Sequence, residues 1–436
     1  MGDSDRSMPT AYLGSLDAEA KWRDPTLASL PALRDAQAER IVAALDELQF
    51  VLCGEGDLLL TASPLQPGHG ELAASLGLRF AHATLPREGE ALPADVLARL
   101  SGARPSPWAV VPGLEAACAR LGIAASLPKA EVVQRVNSKS FSHALARSMG
   151  LFGAGMLVRS EAELVCEVRR LLADGKCVVK DPFGVSGKGA QVLGAGAELE
   201  RLAAHLGRQV EAGKRVELLV QPLYERAADF SCHFEVDTGG LASLHGVQAM
   251  SNDGLAFSSV GPASPELLAV LERERYWGVM EQVARALASE GYRGPVCVDS
   301  MVLRDGTLVP LLEINARKSM GLLNLRLGAR VNDGLRSHLG QVGLTLRRQV
   351  SFEELLNAMR RDGLLYDGTR EGLLPLGGGG LVANLPLLDG APGGAVRGRI
   401  YVSAMSRDEA GAARLNEALA PCLASLGVQV TRRARA

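Results

Sequence analysis

Two acids, Asp299 and Glu313, stand in otherwise apolar runs of GPVCVDSMVLRDGTLVPLLEINARKSMG (294–321), and Asn315 and Arg317 follow Glu313 at two-residue steps. A carboxylate set among apolar neighbours needs a partner if it is buried. Two carboxylates and an amide oxygen make a hard oxygen set, the kind Mg2+ takes when phosphate oxygens complete its shell. Arg317 would then neutralise phosphate charge. Taken singly, either acid reads as a solvated residue on a strand. The two-residue steps from Glu313 to Asn315 to Arg317 favour a site, because residues two apart share a face of a strand.

The element that must position them is a β-hairpin. VCVDSMVL and LVPLLEIN are β-rich runs, and Arg304-Asp305-Gly306-Thr307 is the turn, its Asp-Gly pair suited to positive φ. Further residues of interest lie upstream. In KAEVVQRVNSKSFSHALARSMG, Asn137 or Ser138 can cap a helix that ends at Gly150. Lys139 falls in its first turn, where a cation opposes the helix dipole unless an anion is near. CVVK is a strand ending in Lys180, followed by the glycine-rich turn DPFGVSGKGA and a returning strand AQVL. Gly184, Gly187 and Gly189 permit close backbone approach to a ligand, and Lys188 adds positive charge. No Walker A pattern is present, and a glycine-rich turn alone also reads as simple structure. VELLVQPL is a buried strand with Gln221 near its end, where amides could read a purine edge, and Asp229 follows eight residues on. His233, on DFSCHFEV, reads equally as a structural histidine.

The rest of the chain supplies context. Residues 1–35 read as a loose leader. From Ala36, helical segments (AERIVAALDEL, HGELAASLG, ADVLARLS, GLEAACARLG) alternate with strands (FVLCGEGDLLLTAS, LRFAHATL, WAVV), which implies an α/β layer with a mostly parallel sheet. SNDGLAFSSVG (251–261) reads as a mobile lid. SPELLAVLERERYWGVMEQVARALASEG reads as one helix and NLRLGARVNDGLRSHLGQ as mixed helical. Ser351 and Glu354 form a capping box, and the four glycines at 377–380 read as a flexible loop. Lys318 and Arg326 are candidate carboxylate anchors, with a surface cation the plainer reading of each.

Composition narrows the class. The chain has 436 residues, room for roughly two to four domains. A net charge of −2 supplies no basic field for nucleic acid. No run reaches the length of a membrane span. The polar start shows no signal peptide, and seven cysteines without metal spacing fit a reducing cytoplasm, with Cys118, Cys177 and Cys297 as core residues.

In order, these features resemble the ATP-grasp superfamily of ATP-dependent ligases. They are a lysine opening a helix, a lysine before a glycine-rich hairpin, a hinge strand, then an acid and Glu-x-Asn-x-Arg. The likeness runs from about 135 to 328. It implies an α/β (α+β) fold: a Rossmann-like domain over 1–130, a lid subdomain over 131–222, a metal-binding subdomain over 223–345 and a small α/β appendage over 346–436. It also implies roles. Lys139 and Lys180 would hold the α- and β-phosphates of ATP, and the loop with Gly184, Gly187, Lys188 and Gly189 would close over the triphosphate. Gln221 and the backbone of Leu223 would contact adenine, and Asp229 the ribose. Asp299, Glu313 and Asn315 would hold Mg2+, and Arg317 would stabilise the transferring phosphoryl group. The family often has Glu where this chain has Gln221.

The implied activity is carboxylate–amine ligation through an acyl phosphate, with small-molecule acid and amine substrates, no nucleic acid and no membrane. A dimer is common in the family. The stand-alone arrangement resembles peptide ligases of bacterial natural-product pathways. Two other readings stay open: an ATP-grasp kinase acting on a hydroxyl, and a non-catalytic ATP-binding regulatory protein.

Overall fold

A computed structural model describes residues 8–432 except 15, 87–90, 124–125, 186–187, 238, 332–333 and 391. Three sheets organise the chain. The first is parallel, with strands β1 (Thr10–Leu13), β2 (Leu58–Thr61), β3 (Ala81–Thr84) and β4 (Arg104–Pro107) in the order β3-β2-β1-β4. Helices His69–Ser75 and Ala94–Leu100 lie between its strands in sequence and Leu114–Arg120 follows the last, as the alternating pattern predicts. Its core gathers Ala11, Leu13, Leu58, Leu60, Leu100 and Cys118.

The expected leader is instead part of this sheet. β1 pairs with both β2 and β4, and the helix Ala18–Trp22 buries Trp22 completely. A four-residue strand is too short to show a period of two, so local pattern missed it. The strand expected at 108–111 lies at Arg104–Pro107. Pro105 and Pro107 donate nothing to a ladder, but β4 is an edge strand pairing only with β1, where that loss is tolerated. Phe50, Val51 and Leu52, expected in a strand, close a 3-10 helix, Ala44–Leu52.

The second sheet is antiparallel: β5 (Met156–Val158), β6 (Cys177–Val185), β7 (Lys188–Leu193) and β8 (Leu218–Pro222), ordered β5-β8-β6-β7. Helices Glu161–Leu172 and Gly196–Glu211 bury Leu164, Val168, Leu199 and Leu206 against Val158, Val179 and Val220.

The third sheet takes β9 (Arg226–Val236), β10 (Ala242–Asp253), β11 (Ala256–Pro262), β12 (Gly294–Leu303), β13 (Leu308–Asn315), β14 (Arg336–Leu346), β15 (Gly372–Pro375), β16 (Val396–Ser406) and β17 (Val428–Arg432). Its order is β13-β12-β9-β10-β11-β14-β16-β15, with β17 also on β14. One face of β9 and β12 is apolar: Phe230, Cys232, Phe234 and Val298 belong to one core with Tyr276, Met280 and Val283 of helix Tyr276–Ser289. The other face carries Asp229, Ser231, Asp299, Glu313 and Asn315. That alternation creates the polar floor of the site.

Several expectations change here. Residues 251–261 are not a lid: β10 and β11 form a hairpin about Gly254 (φ +63), and β11 is an inner strand between β10 and β14. The single helix expected over 264–291 breaks into Pro265–Arg273 and Tyr276–Ser289, with Arg275 left-handed at φ 53 between them. RSHLGQ, read as helical, opens the long strand β14. The segment from 346 onward adds β15, β16 and β17 to the large sheet rather than making a sheet of its own. Gly377–Gly380 are buried, not flexible: a Cβ on Gly377 would come 2.2 Å from Glu47 Oε1, and one on Gly380 2.5 Å from the Arg399 carbonyl oxygen. Cys118, Cys177 and Cys297 are buried thiols. Among the described residues, no helix is long and apolar enough to cross a membrane.

Candidate active site

The β12–β13 hairpin forms as its sequence predicts. Gly306 sits at φ +86 in the turn, and the Leu303 N–H donates to the Thr307 carbonyl at 2.9 Å. Asp299 lies directly opposite Glu313, and Cys297 opposite Asn315. β13 is the edge of the large sheet, so its outward N–H groups need partners. Helix Lys139–Ser148 supplies them. Ser142 Oγ accepts from the Ile314 N–H at 3.0 Å, and Asn137 Oδ1 from the Ala316 N–H at 2.9 Å. Ser138 caps that helix through the Phe141 N–H.

This docking brings Lys139 onto the hairpin. Its Nζ donates to Glu313 Oε1 at 2.7 Å and to the Gly184 carbonyl at 2.8 Å. The anion that its place in the first helical turn calls for is thus a carboxylate of the chain itself. Lys180 projects from β6 toward the same carboxylates, half-buried, and its ammonium bonds to no described residue. Burial lowers its pKa to about 8; Lys139 pushes the same way, and Glu313 and Asp299 partly oppose it. Asp299 moves the other way. Burial and the facing Glu313 raise it to about 7, against the pull of Arg317 and hydrogen bonds from Cys297 and Asn315.

Asn315 bridges the acids to the arginine. Its Nδ2 donates to Asp299 Oδ2, and its Oδ1 accepts from Arg317 Nη2, both at 3.0 Å. Arg317 is half-buried and ion-paired with Glu19, Nε to Oε1 at 2.6 Å and Nη2 to Oε1 at 2.5 Å. Glu19 lies in the segment read as a leader, and the only local cue to its burial is the nearby Trp22.

The remaining candidates are placed as follows. Gly189 (φ +83) holds the arms of the β6–β7 hairpin so close that a Cβ there would sit 2.7 Å from Gly184 Cα. Lys188 opens β7, and Gly187 lies outside the described residues. Gln221 is buried and donates its amide to the Gly153 carbonyl at 2.7 Å, so that N–H is not free for a purine. The Leu223 N–H is likewise taken, by the Lys176 carbonyl at 2.9 Å. Asp229 Oδ2 accepts from Arg226 and Asn252, at 2.8 and 2.9 Å.

Lys318 is not a surface cation. It is buried, with Nζ donating to the Ser106 carbonyl at 2.6 Å and to Gln49 Oε1 at 3.1 Å, over the Tyr12 ring. Burial lowers its pKa to about 7. Arg326 is exposed. His233 is structural: its ring nitrogens meet Ser231 Oγ and Ser319 Oγ at 2.9 and 3.2 Å, and burial lowers its pKa to about 3.

No protein-family model matches the chain, and no curated protein matches it in sequence. Solved structures do match its fold. An N5-carboxyaminoimidazole ribonucleotide synthetase in complex with ADP aligns at TM-score 0.50 and 11% identity, over 86% of this chain and 93% of that one. An N5-carboxyaminoimidazole synthase from Aspergillus clavatus, in complex with ADP and 5-aminoimidazole ribonucleotide, aligns at 0.50 and 11%, over 96% and 99%. The chain has the ATP-grasp fold. Pyruvate carboxylase from Rhizobium etli aligns at TM-score 0.54 and 15% identity, over 98% of this chain but 38% of that one. At these identities the likeness extends to the ATP-grasp architecture, with the β12–β13 hairpin and the β6–β7 hairpin facing each other across Lys139.

The donor set fits a divalent cation. Among the described residues no three His, Cys, Asp or Glu side chains gather as a closed metal cage. Asp299 and Glu313 face each other with too little positive charge to keep Asp299 fully ionised at neutral pH, a deficit that a cation between them would remove. Two carboxylates plus ligand phosphate oxygens are the usual provision for Mg2+.

Proposed function

We propose that this chain is an ATP-dependent carboxylate–amine ligase that works through an acyl phosphate and releases ADP and phosphate. The observation that carries the reading is Lys180: an ammonium beside the Lys139–Glu313 pair and Asp299, with no described anion of its own. A polyphosphate entering with a divalent cation would satisfy both lysines and both carboxylates at once. The ADP complexes of the two aligned synthetases support the same choice of nucleotide.

The residues would divide the work by charge. Lys139 would leave Glu313 for phosphate, and Lys180 would pair with the neighbouring phosphate. The hairpin with Gly184, Gly187, Lys188 and Gly189 would close over the triphosphate. With one Gln221 N–H and the Leu223 N–H already engaged, adenine would meet the remaining amide atoms of Gln221 and the Leu223 carbonyl. Asp229 would exchange a cation partner for ribose hydroxyls. Asp299, Glu313 and Asn315 would hold Mg2+, which shields the β- and γ-phosphates when bound.

A substrate carboxylate oxygen would then attack the γ-phosphorus and ADP would leave. An amine would attack the acyl carbon, expel phosphate and lose its proton. Arg317 would stabilise the charge on the transferring phosphoryl group. Amino acids as both acid and amine, in a cytoplasmic natural-product pathway, are the finer form of the proposal.

ATP turnover with Mg2+ against a panel of amino acids and small carboxylates tests it. ADP and phosphate that require both an acid and an amine, and disappear in Glu313→Ala, support ligation. ADP with a stable phosphorylated product and no free phosphate indicates a kinase instead. AMP overturns the mechanism, and tight ATP binding without turnover across the panel indicates a regulatory binder.

A further inference from the structure

One segment touches all three sheets. Residues 17–30 leave β1, pass Arg317, pass the base of the β6–β7 hairpin and end against the second sheet. Trp22 pins the segment at its middle, fully buried, with Nε1 donating to the Val110 carbonyl at 2.9 Å. On one side of Trp22, Glu19 takes Arg317. On the other, Arg23 Nη1 donates to Asp181 Oδ1 at 2.8 Å, one residue past Lys180. Further on, the Ala28 N–H donates to the Arg215 carbonyl at 2.8 Å, and Ser29 meets Gln209.

The hydrogen bonds of Arg317 decide what Glu19 can do. A guanidinium has five N–H groups. Nε–H donates to Glu19 Oε1, which also lies 2.5 Å from Nη2 as an ion-pair contact; Nη2 donates to Asn315 Oδ1 and Nη1 to the Lys318 carbonyl, both at 3.0 Å. One N–H, on Nη1, is left without a described partner. The plane of the guanidinium is therefore set before any ligand arrives. Glu19 is the anion in this arrangement, and it lies on the side of Arg317 away from the Asp299–Glu313 pair in the bonding chain. A guanidinium largely withdrawn from water and deprived of its carboxylate is left uncompensated, and other carboxylates draw it. Here those are Asp299 and Glu313, whose charges already couple to Arg317.

We propose that Glu19 is a positioning residue for Arg317: it holds the guanidinium off the metal-binding carboxylates and aims its one free N–H at the transferring phosphoryl group. This rests on the phosphoryl-transfer reading above. Through Trp22 and the Arg23–Asp181 pair, the same segment ties that aim to the base of the glycine-rich hairpin.

The test compares binding of Mg·ADP with and without aluminium fluoride, a mimic of the transferring phosphoryl group, in the full-length protein. Wild type, Glu19→Gln, Arg317→Ala and the double variant are measured side by side. In wild type, fluoride tightens ADP binding, and Arg317→Ala loses most of that gain. Glu19→Gln is expected to lose about tenfold or more of it, since small misplacements of a catalytic group are costly. Its affinity for Mg·ADP alone falls too, because a guanidinium drawn to Asp299 competes with the cation, but by less than the fluoride gain does, since ADP brings no transferring group. The double variant matches Arg317→Ala.

A Glu19→Gln protein that keeps the full gain overturns the proposal. So does a loss that adds in full to that of Arg317→Ala, which would mean that Glu19 acts on the ligand directly. If wild type itself shows no gain, the phosphoryl-transfer reading fails and takes this proposal with it. Glu19→Asp keeps the charge on a shorter stem and serves if Glu19→Gln does not fold; its gain is expected between those of wild type and Arg317→Ala, and an unreduced gain again overturns the proposal.

Discussion

Asp299, half-buried, and Glu47, buried, are both acids whose proton affinity is raised, to about 7 and about 8, and desolvation is the larger cause for each. A neighbouring acid adds to both: Glu313 beside Asp299, Asp46 beside Glu47. Their surroundings otherwise differ. Asp299 lies among Asn315, Arg317 and, across Glu313, the ammonium groups of Lys139 and Lys180. Glu47 meets only neutral backbone: Gly379 N–H donates to its Oε1 at 2.7 Å, and Gly377 and Gly379 leave no room for a Cβ beside it. The first acid is one half of a charge pattern that a divalent cation and phosphate would complete. The second is sealed, and neutral at pH 7. A shifted pKa alone does not mark a site; the cations arranged around it do.

The largest expected effect separates the two acids outright. Glu313→Ala would remove a proposed metal ligand and strand Lys139, and should cost on the order of a thousandfold or more in ATP turnover. Glu47→Gln, assayed alongside, should leave turnover within about twofold. Comparable losses in the two variants would mean that the distinction drawn here is false.

The glycine cradle is where the contrast can be broken from the other side. In Gly380→Ala the new Cβ meets the Arg399 carbonyl oxygen at 2.5 Å and Leu45 Cδ2 at 3.2 Å. Backbone cannot swing aside as a side-chain tip can, so about 3 kcal/mol of destabilisation is expected in denaturant unfolding. A Gly380→Ala protein as stable as wild type would restore the reading of 377–380 as a loose loop.

That reading shows where local pattern stops. Glycine serves both loose turns and tight contacts. Nothing in LPLGGGGLVAN tells which, because the deciding neighbours, Glu47 and Arg399, come from elsewhere in the chain. The same limit hid Glu19, whose partner Arg317 lies 298 residues away. It also hid β14 and β11, inner strands rich in Ser, Gly, His and Gln that look solvated until their network is seen. Ser337 Oγ bonds Asn324 Oδ1 and Ser403 Oγ, both at 2.6 Å. The strand expected to end at Lys180 runs on to Val185, but the β12–β13 hairpin, the Ser138 cap, the Ser351–Glu354 capping box and the placing of Lys139 were legible. Each is carried by residues within one or two elements, at a spacing that backbone geometry dictates.

The third expectation concerns protons at Asp299. Its pKa is raised from 3.8 to about 7, so the protonated form is favoured in the fold. Its stabilising share is present below pH 4 and is lost as pH rises through 7. A divalent cation needs the ionised form. Mg2+ affinity of the nucleotide-free protein should therefore rise about tenfold per pH unit up to 7 and level off above it. Titration calorimetry at several pH values measures this, and Asp299→Asn should flatten the curve. A flat wild-type curve would mean that Asp299 does not face the metal.

The smallest effect is the mirror of that one. Glu47 is raised from 4.5 to about 8, so its share of stability is present below pH 4.5 and lost as pH climbs through 8. Glu47→Gln does not titrate. The stability difference between wild type and variant should shift against wild type by on the order of 1 kcal/mol per pH unit across that window. Thermal melts from pH 5 to pH 9 measure it. Mg2+ should leave the slope unchanged, because Glu47 bonds to the Gly379 backbone and to neither carboxylate of the proposed metal site. If Mg2+ alters the Glu47 slope as it alters that of Asp299, the two acids belong to one coupled system, and the cradle around Gly377–Gly380 is joined to the site after all.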